Sequence, residues 1–228
     1  LLDPGYLFKR SQLITKSKTM GKAKAGQIKY KNSERLTEHQ SNEGKSTSHF
    51  SIVDSEGNAV SMTSSVENAF GSRILVRGFL LNNQLTDFSF RPTINGKPVA
   101  NRVQPNKRPR SSMSPILVVD GSGKFLMAIG SPGGSRIIGY VAKTLIATLD
   151  WKMNIQAAID LPHFINRNGI TDLEKETKLE LLADKLQEMG HSVKIRKLTS
   201  GLHGILDHKD GTLSGGADHR REGVAVGD

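Results

Sequence analysis

Cysteine is absent from the 228 residues. That excludes disulfides, thiolate-ligated zinc and a cysteine nucleophile, and leaves the compartment undecided. No apolar run approaches the roughly 18 residues that a membrane-spanning helix needs, and no signal peptide is visible at Leu1. Aromatics are scarce, at 5% with one Trp, and they do not cluster into a stacking platform for single-stranded nucleic acid. No phosphate-loop, GxGxxG, HExxH or EF-hand spacing is present. The seven histidines do not group at metal-ligand spacing, and His49, His163 and His203 read as packing or surface residues.

The composition that remains is ordinary globular material, 36% hydrophobic and 24% charged. The net charge is +10, but it is unevenly spread: residues 1–46 hold ten Lys or Arg against four Asp or Glu. A basic stretch without stacking aromatics is a solvated leader rather than a nucleic-acid interface. Residues 29–46 contain little that is apolar and read as a polar linker. Composition changes sharply at Thr47. A polar linker running into a strand that opens on Thr is a candidate processing site.

Residues 47–71 alternate apolar and polar, turn at Ser55-Glu56-Gly57-Asn58 and alternate again, which predicts a half-buried hairpin with a polar face. Upstream, Asp3-Pro4-Gly5 predicts a turn and residues 13–28 a short helix broken by Gly21 and Gly26. Downstream, Gly78–Asn83 predicts a short strand, Gln84–Phe88 a loop, and Ser89–Pro109 a long surface loop. A second hairpin is expected over Ile116–Asp120 and Phe125–Ile129. The segment Gly130–Arg136 ends that strand and opens a helix over Ser135–Leu149, apolar nearly all round and therefore buried. A helix at Ile155–Asp160, an amphipathic helix at Lys175–Met189 closed by Gly190, a strand at Ser192–Lys197 and a third hairpin at Gly204–Gly215 complete the chain. Strands, then helices, then strands is an α+β pattern, not a doubly wound sheet.

Three features carry possible chemistry: the linker ending at Thr47, the Ser111-Ser112 pair, and Gly133-Gly134 opening a helix. A Thr hydroxyl needs a base. If the chain is cut before Thr47, the new α-amine, with an ordinary pKa of about 7.7–8.0, supplies one. Consecutive N–H groups at a helix start can hold an oxyanion. Glycine at a strand-to-helix turn also occurs for its dihedrals alone, and Ser111-Ser112 also reads as a capped turn.

The runs T-S-H-F-S-I-V-D, L-L-N-N-Q-L-T-D-F, N-K-R-P-R-S-S-M-S-P, G-S-P-G-G-S-R-I and G-A-D-H-R-R-E-G resemble the C-terminal part of a γ-glutamyltranspeptidase precursor, of the N-terminal-nucleophile hydrolase superfamily. The likeness is close from Thr47 to about Tyr140 and looser on either side. It implies an α+β fold, an αββα sandwich. It implies autocatalytic cleavage between Ser46 and Thr47, dividing a large-subunit end and linker (1–46) from a small-subunit catalytic domain (47–228). It further implies Thr47 as nucleophile and base, Gly133 and Gly134 as oxyanion donors, and Ser65 as a hydroxyl bonded to the nucleophile. Glu67, Gln84 and Asp87 would bind the α-ammonium of a γ-glutamyl group, and Ser111 and Ser112 its α-carboxylate. Donors would be glutathione and other γ-glutamyl amides; acceptors would be water, an amino acid or a peptide. No metal or organic cofactor is needed.

Two departures stand out. Nearly all of the large subunit lies outside this sequence, with the arginine that clamps the α-carboxylate, and the tail reads Asp218-His219-Arg220 where Asp-Pro-Arg is frequent. The partners expected are therefore the small-molecule donor and acceptor and the missing large-subunit segment, with no nucleic acid and no membrane span. The resemblance implies a bacterial periplasmic or secreted protein. The alternatives are a related acylase or capsule transpeptidase, or a truncated remnant that catalyses nothing.

Overall fold

The computed structural model describes residues 3–26 and 46–228. In chain order the elements are helix α1 (Pro4–Ser11), strands β1 (Ser46–Val53) and β2 (Ala59–Glu67), and the short ladders β3 (Leu75–Val76) with β4 (Phe79–Leu80) and β5 (Thr93–Ile94) with β6 (Lys97–Pro98). Strands β7 (Ile116–Val119) and β8 (Phe125–Gly130) lead to helices α2 (Ile137–Leu149) and α3 (Ile155–Asp160). Strands β9 (Phe164–Asn166) and β10 (Thr171–Glu174), helix α4 (Ala183–Glu188) and strands β11 (Val193–Arg196), β12 (His203–Asp207) and β13 (Leu213–Ala217) follow. The chain divides into two units: 46–161 with 199–228, and 3–26 with 162–198.

In the larger unit, β1 and β2 form the expected antiparallel hairpin, with Thr47 opposite Ser65, Phe50 opposite Met62 and Ile52 opposite Val60. It lies on a four-stranded sheet of order β13-β12-β8-β7. Glycines show how closely the layers approach. A Cβ on Gly130 would lie 2.3 Å from the His49 ring, and one on Gly204 2.8 Å from Cδ1 of Ile155 in α3. Gly204 pairs with Ile129, next to Gly130, so these two contacts leave from opposite faces of the sheet. The order of layers is hairpin, sheet, helices. Met127, Ala128 and Ile129, covered on both faces, are the centre of the core.

The hairpin's polarity is the reverse of what alternation alone suggests. Its polar face is the one turned onto the sheet. His49 Nδ1 is 2.8 Å from Thr63 Oγ1, His49 Nε2 is 3.2 Å from Ser51 Oγ, and Ser61 Oγ donates to the Ile129 carbonyl at 3.0 Å. The apolar residues Phe50, Ile52, Val60 and Met62 point outward and are 42–53% exposed. Periodicity of two separates the faces, but the layer each face meets is decided elsewhere in the fold.

Helix α2 begins after a 3-10 turn at Gly134–Arg136, and it is not apolar-buried all round. Ile138 and Ile146 are exposed, whereas Lys143, Thr144 and Thr148 are buried. Lys143 Nζ donates to the Leu161 carbonyl, which gives its ammonium a backbone partner. Two tight hairpins lie in stretches read as strand or loop. Arg77-Gly78 and Asn95-Gly96 both have positive φ, the geometry of two-residue hairpin turns.

In the smaller unit, Asp3-Pro4 opens a helix instead of a turn. Asp3 caps α1 by accepting the Tyr6 N–H at 2.6 Å, and proline stands where a helix N–H has no partner anyway. Residues 13–26 form no helix, and 27–28 lie outside the described residues. Strands β9 and β10 were not anticipated; β10 is antiparallel to β9 and parallel to β11. All four residues of β10, Thr-Asp-Leu-Glu, are buried. Polar pairing hides the strand from any hydrophobic pattern: Arg196 Nε lies 2.7 Å from Asp172, and Glu174 accepts the His163 N–H at 2.7 Å. The Lys175–Met189 helix is a 3-10 turn at Lys178–Leu182 running into α4.

Candidate active site

β1 carries Thr47 as its second residue, at a ladder irregularity between Ser46 and Thr47. Thr47 is buried, and its hydroxyl is 3.1 Å from that of Ser65, its cross-strand partner. Ser65 Oγ also accepts the Glu67 N–H at 2.9 Å. Glu67 closes β2 with φ of 73°, the left-handed region that a glutamate rarely enters. Glu67 is buried and lines the same cleft as Thr47. Strain of this kind persists only where surrounding contacts hold it.

Three further segments complete a narrow cleft. The 3-10 turn Gln84–Asp87 brings in Gln84 and a buried Asp87, with the Gln84 amide donating to the Asp87 carboxylate. The extended segment before β7 brings Ser111, Ser112 and Met113. Gly133 has φ of 138° and Gly134 of 60°. A Cβ on Gly133 would lie 2.7 Å from the Tyr140 ring, so glycine is required there for space as well as backbone. The cleft is lined by Thr47, Ser65, Glu67, Gln84, Asp87, Ser111, Ser112, Met113, Gly134 and Ile137. Every residue singled out in the sequence is therefore in the lining except Gly133, which adjoins it in the chain. Met113 and Ile137 were missed, although Met113 directly follows the serine pair. Among the described residues two carboxylates and no Lys or Arg line this cleft, which suits a small cation-bearing ligand.

The tail motif fixes the reverse side. Asp218 accepts from the Ser200 hydroxyl, the Leu202 N–H and Arg220. Burial works to raise its pKa, but these hydrogen bonds and the Arg220 charge outweigh it and hold the carboxyl below its ordinary value. Arg220 also donates to the carbonyls of Ile159 and Leu161 at the end of α3, at 3.3 and 3.2 Å. The Gly201 N–H donates to Ser131 Oγ at 3.2 Å, just before Pro132-Gly133-Gly134. A second, wider cleft of about 820 Å³ also reaches Thr47 and is rimmed by His203, His219, Arg221 and Glu222.

The family model for gamma-glutamyltranspeptidase matches residues 1–228. The chain belongs to the gamma-glutamyltranspeptidase family. Within it, the chain is 37% identical over 237 positions to the glutathione hydrolase proenzyme of Bacillus subtilis, covering all of this chain but 39% of that relative. It is 30% identical over 187 positions to the acylase ACY 1 proenzyme of a Pseudomonas strain, covering 81% of this chain and 32% of that relative. A solved gamma-glutamyltranspeptidase from Pseudomonas nitroreducens, complexed with L-DON, superposes with a TM-score of 0.68 at 30% identity, over 79% of this chain and 98% of that one. The fold is that of the N-terminal-nucleophile hydrolases, as the α+β reading expected.

Proposed function

We propose that the whole protein to which this chain contributes transfers γ-glutamyl groups from glutathione and related amides to water, amino acids or peptides. The observation that carries this reading is the cleft itself. It sets a buried Thr hydroxyl beside two carboxylates, three serines and Gly134 of the Gly-Gly turn.

In this reading residues 1–46 are the end of a large-subunit segment, and cleavage before Thr47 frees its α-amine. That amine takes the proton as Oγ1 attacks the γ-carbonyl carbon. The tetrahedral oxyanion is met by the Gly133 and Gly134 N–H groups. Collapse breaks the C–N bond, and the leaving amine departs with the proton. Water or an acceptor amine then opens the Thr47 ester. Ser65 steadies Oγ1. Glu67, Gln84 and Asp87 hold the donor's α-ammonium, and Ser111 and Ser112 its α-carboxylate. The wider cleft is the route for the leaving and accepting amines.

The partner is the segment that the longer relatives carry upstream. Support comes from the exposed apolar row Phe50, Ile52, Val60 and Met62 on the hairpin. By kinship we place the whole protein in the periplasm or outside the cell. Among the described residues no helix is long and apolar enough to cross a membrane.

Intact mass and turnover of a γ-glutamyl anilide, with and without the upstream segment and beside Thr47→Ala, test the proposal. Cleavage before Thr47 and turnover that both vanish in Thr47→Ala are expected. Preference for a glutaryl or other acyl amide would favour the acylase reading suggested by the Pseudomonas relative. No turnover with the upstream segment present would leave an inactive remnant.

A further inference from the structure

The proposed donor site is split between two segments far apart in the chain, Gln84–Asp87 and Ser111–Ser112. One side chain spans them. The Asn101 amide donates from Nδ2 to the Asp87 carbonyl at 2.6 Å, and its Oδ1 accepts the Arg110 N–H at 3.0 Å. Its backbone carbonyl also accepts the Ser89 N–H at 2.8 Å. Asn101 does not line the cleft. Around it the loop folds back on itself: Val99 is fully buried, its N–H donates to the Pro92 carbonyl at 2.9 Å, and Ser89 forms an isolated bridge with Arg102.

We propose that Asn101 is a positioning residue that fixes the separation between the Asp87 loop and the Ser111-Ser112 segment, and through it the enzyme's demand for both charges of an α-amino acid head. The proposal rests on the γ-glutamyl reading for its consequence, but not for its geometry. An amide is the side chain this bridge requires, since it must donate to a carbonyl on one side and accept from an N–H on the other. Aspartate keeps the acceptor and loses the donor. Alanine loses both. Each variant leaves Thr47, Gly133 and Gly134 untouched, so cleavage before Thr47 should proceed in both.

The test uses the assembled protein with its upstream segment and three anilides: γ-glutamyl, glutaryl (no α-ammonium) and 4-aminobutyryl (no α-carboxylate). In Asn101→Ala the preference for γ-glutamyl over each truncated donor should fall about tenfold, the scale of one well-placed polar contact, mainly through KM. In Asn101→Asp the preference over the glutaryl donor should fall while that over the 4-aminobutyryl donor survives. A global loss of activity would lower all three donors alike. Amide exchange supplies a readout independent of turnover: faster exchange is expected at residues 84–89 and 110–113, with residues 47–67 unchanged.

If the wild type turns over no γ-glutamyl donor, the functional reading fails and the exchange pattern alone decides the tether. Unchanged preferences within twofold together with unchanged exchange overturn the proposal. So does a uniform loss across donors, or loss of the folded state in both variants, either of which assigns Asn101 to general stability.

Discussion

Ser65 oxygen serves two bonds, one with the Thr47 hydroxyl and one from the Glu67 N–H. Ser65→Ala removes both, so Thr47, the proposed nucleophile, loses a hydroxyl partner and the strained Glu67 loses an anchor. Each bond contributes about 1 kcal/mol. The expected result is a fall in kcat of about tenfold, with a rise in KM for the γ-glutamyl donor, and recovery in Ser65→Thr, which keeps the oxygen. Steady-state kinetics of the three proteins check this. Two residues after Thr47, His49 carries a different signal. Burial first, and the neighbouring His203 second, lower its pKa from 6.5 to about 4. In the unfolded chain it binds a proton near pH 6.5, whereas in the fold it resists doing so until about pH 4. Its contribution to stability is therefore full above pH 6.5 and shrinks as the pH falls from 6.5 towards 4, where the loss levels off. Asp218 adds a second loss below its ordinary pKa of 3.8, since its folded value is held lower. Urea unfolding at pH 7, 5.5 and 4 should show the first loss in the wild type and a flatter profile in His49→Gln.

The hairpin β1–β2 packs on the sheet through polar groups, and Gly130 makes room for the His49 ring. Gly130→Ala would place a Cβ 2.3 Å from that ring. The ring is held by Thr63 and Ser51 and cannot simply swing away, so the two layers must part. The expected cost is about 1–3 kcal/mol, read as a lowered Tm. Gly121→Ala, where an added Cβ meets nothing within 4 Å, should leave Tm unchanged. At this scale the sequence was read well where side-chain alternation and turn residues agreed. The β7–β8 and β12–β13 hairpins and α3 fall within a residue or two of expectation. Strand β10 was illegible because its Asp172 and Glu174 are buried by pairing with residues outside the strand. No local hydrophobic pattern records such a partner.

For the molecule as a whole, the chain spans 39% of its Bacillus relative, and its hairpin presents an apolar face outward. Met62→Lys lies on that face and is about half exposed, so stability of the chain alone should change by roughly 0.5 kcal/mol or less. If the upstream segment covers this face as proposed, association with it should weaken sharply, because a charge would be buried there without a partner. Co-purification of the two pieces measures this; undiminished association would place the contact elsewhere. The residue types were legible from the start. Thr47 at the head of a strand, Ser111-Ser112 and Gly133-Gly134 are local facts, fixed by chain order and by what each group can do chemically. Their gathering around one cleft was not local, since residues 47, 67, 87, 112 and 134 meet only when separate elements pack. Asn101 lay unnoticed for the same reason: its meaning is a pair of distances to Asp87 and Arg110, and distances across space are not written in spacing along the chain. Alternation by itself determined that the first hairpin has two unlike faces. Which of them turns inward was decided by the tertiary structure alone, where hydroxyls and His49 find partners on the inner side and the apolar row is left to meet another surface.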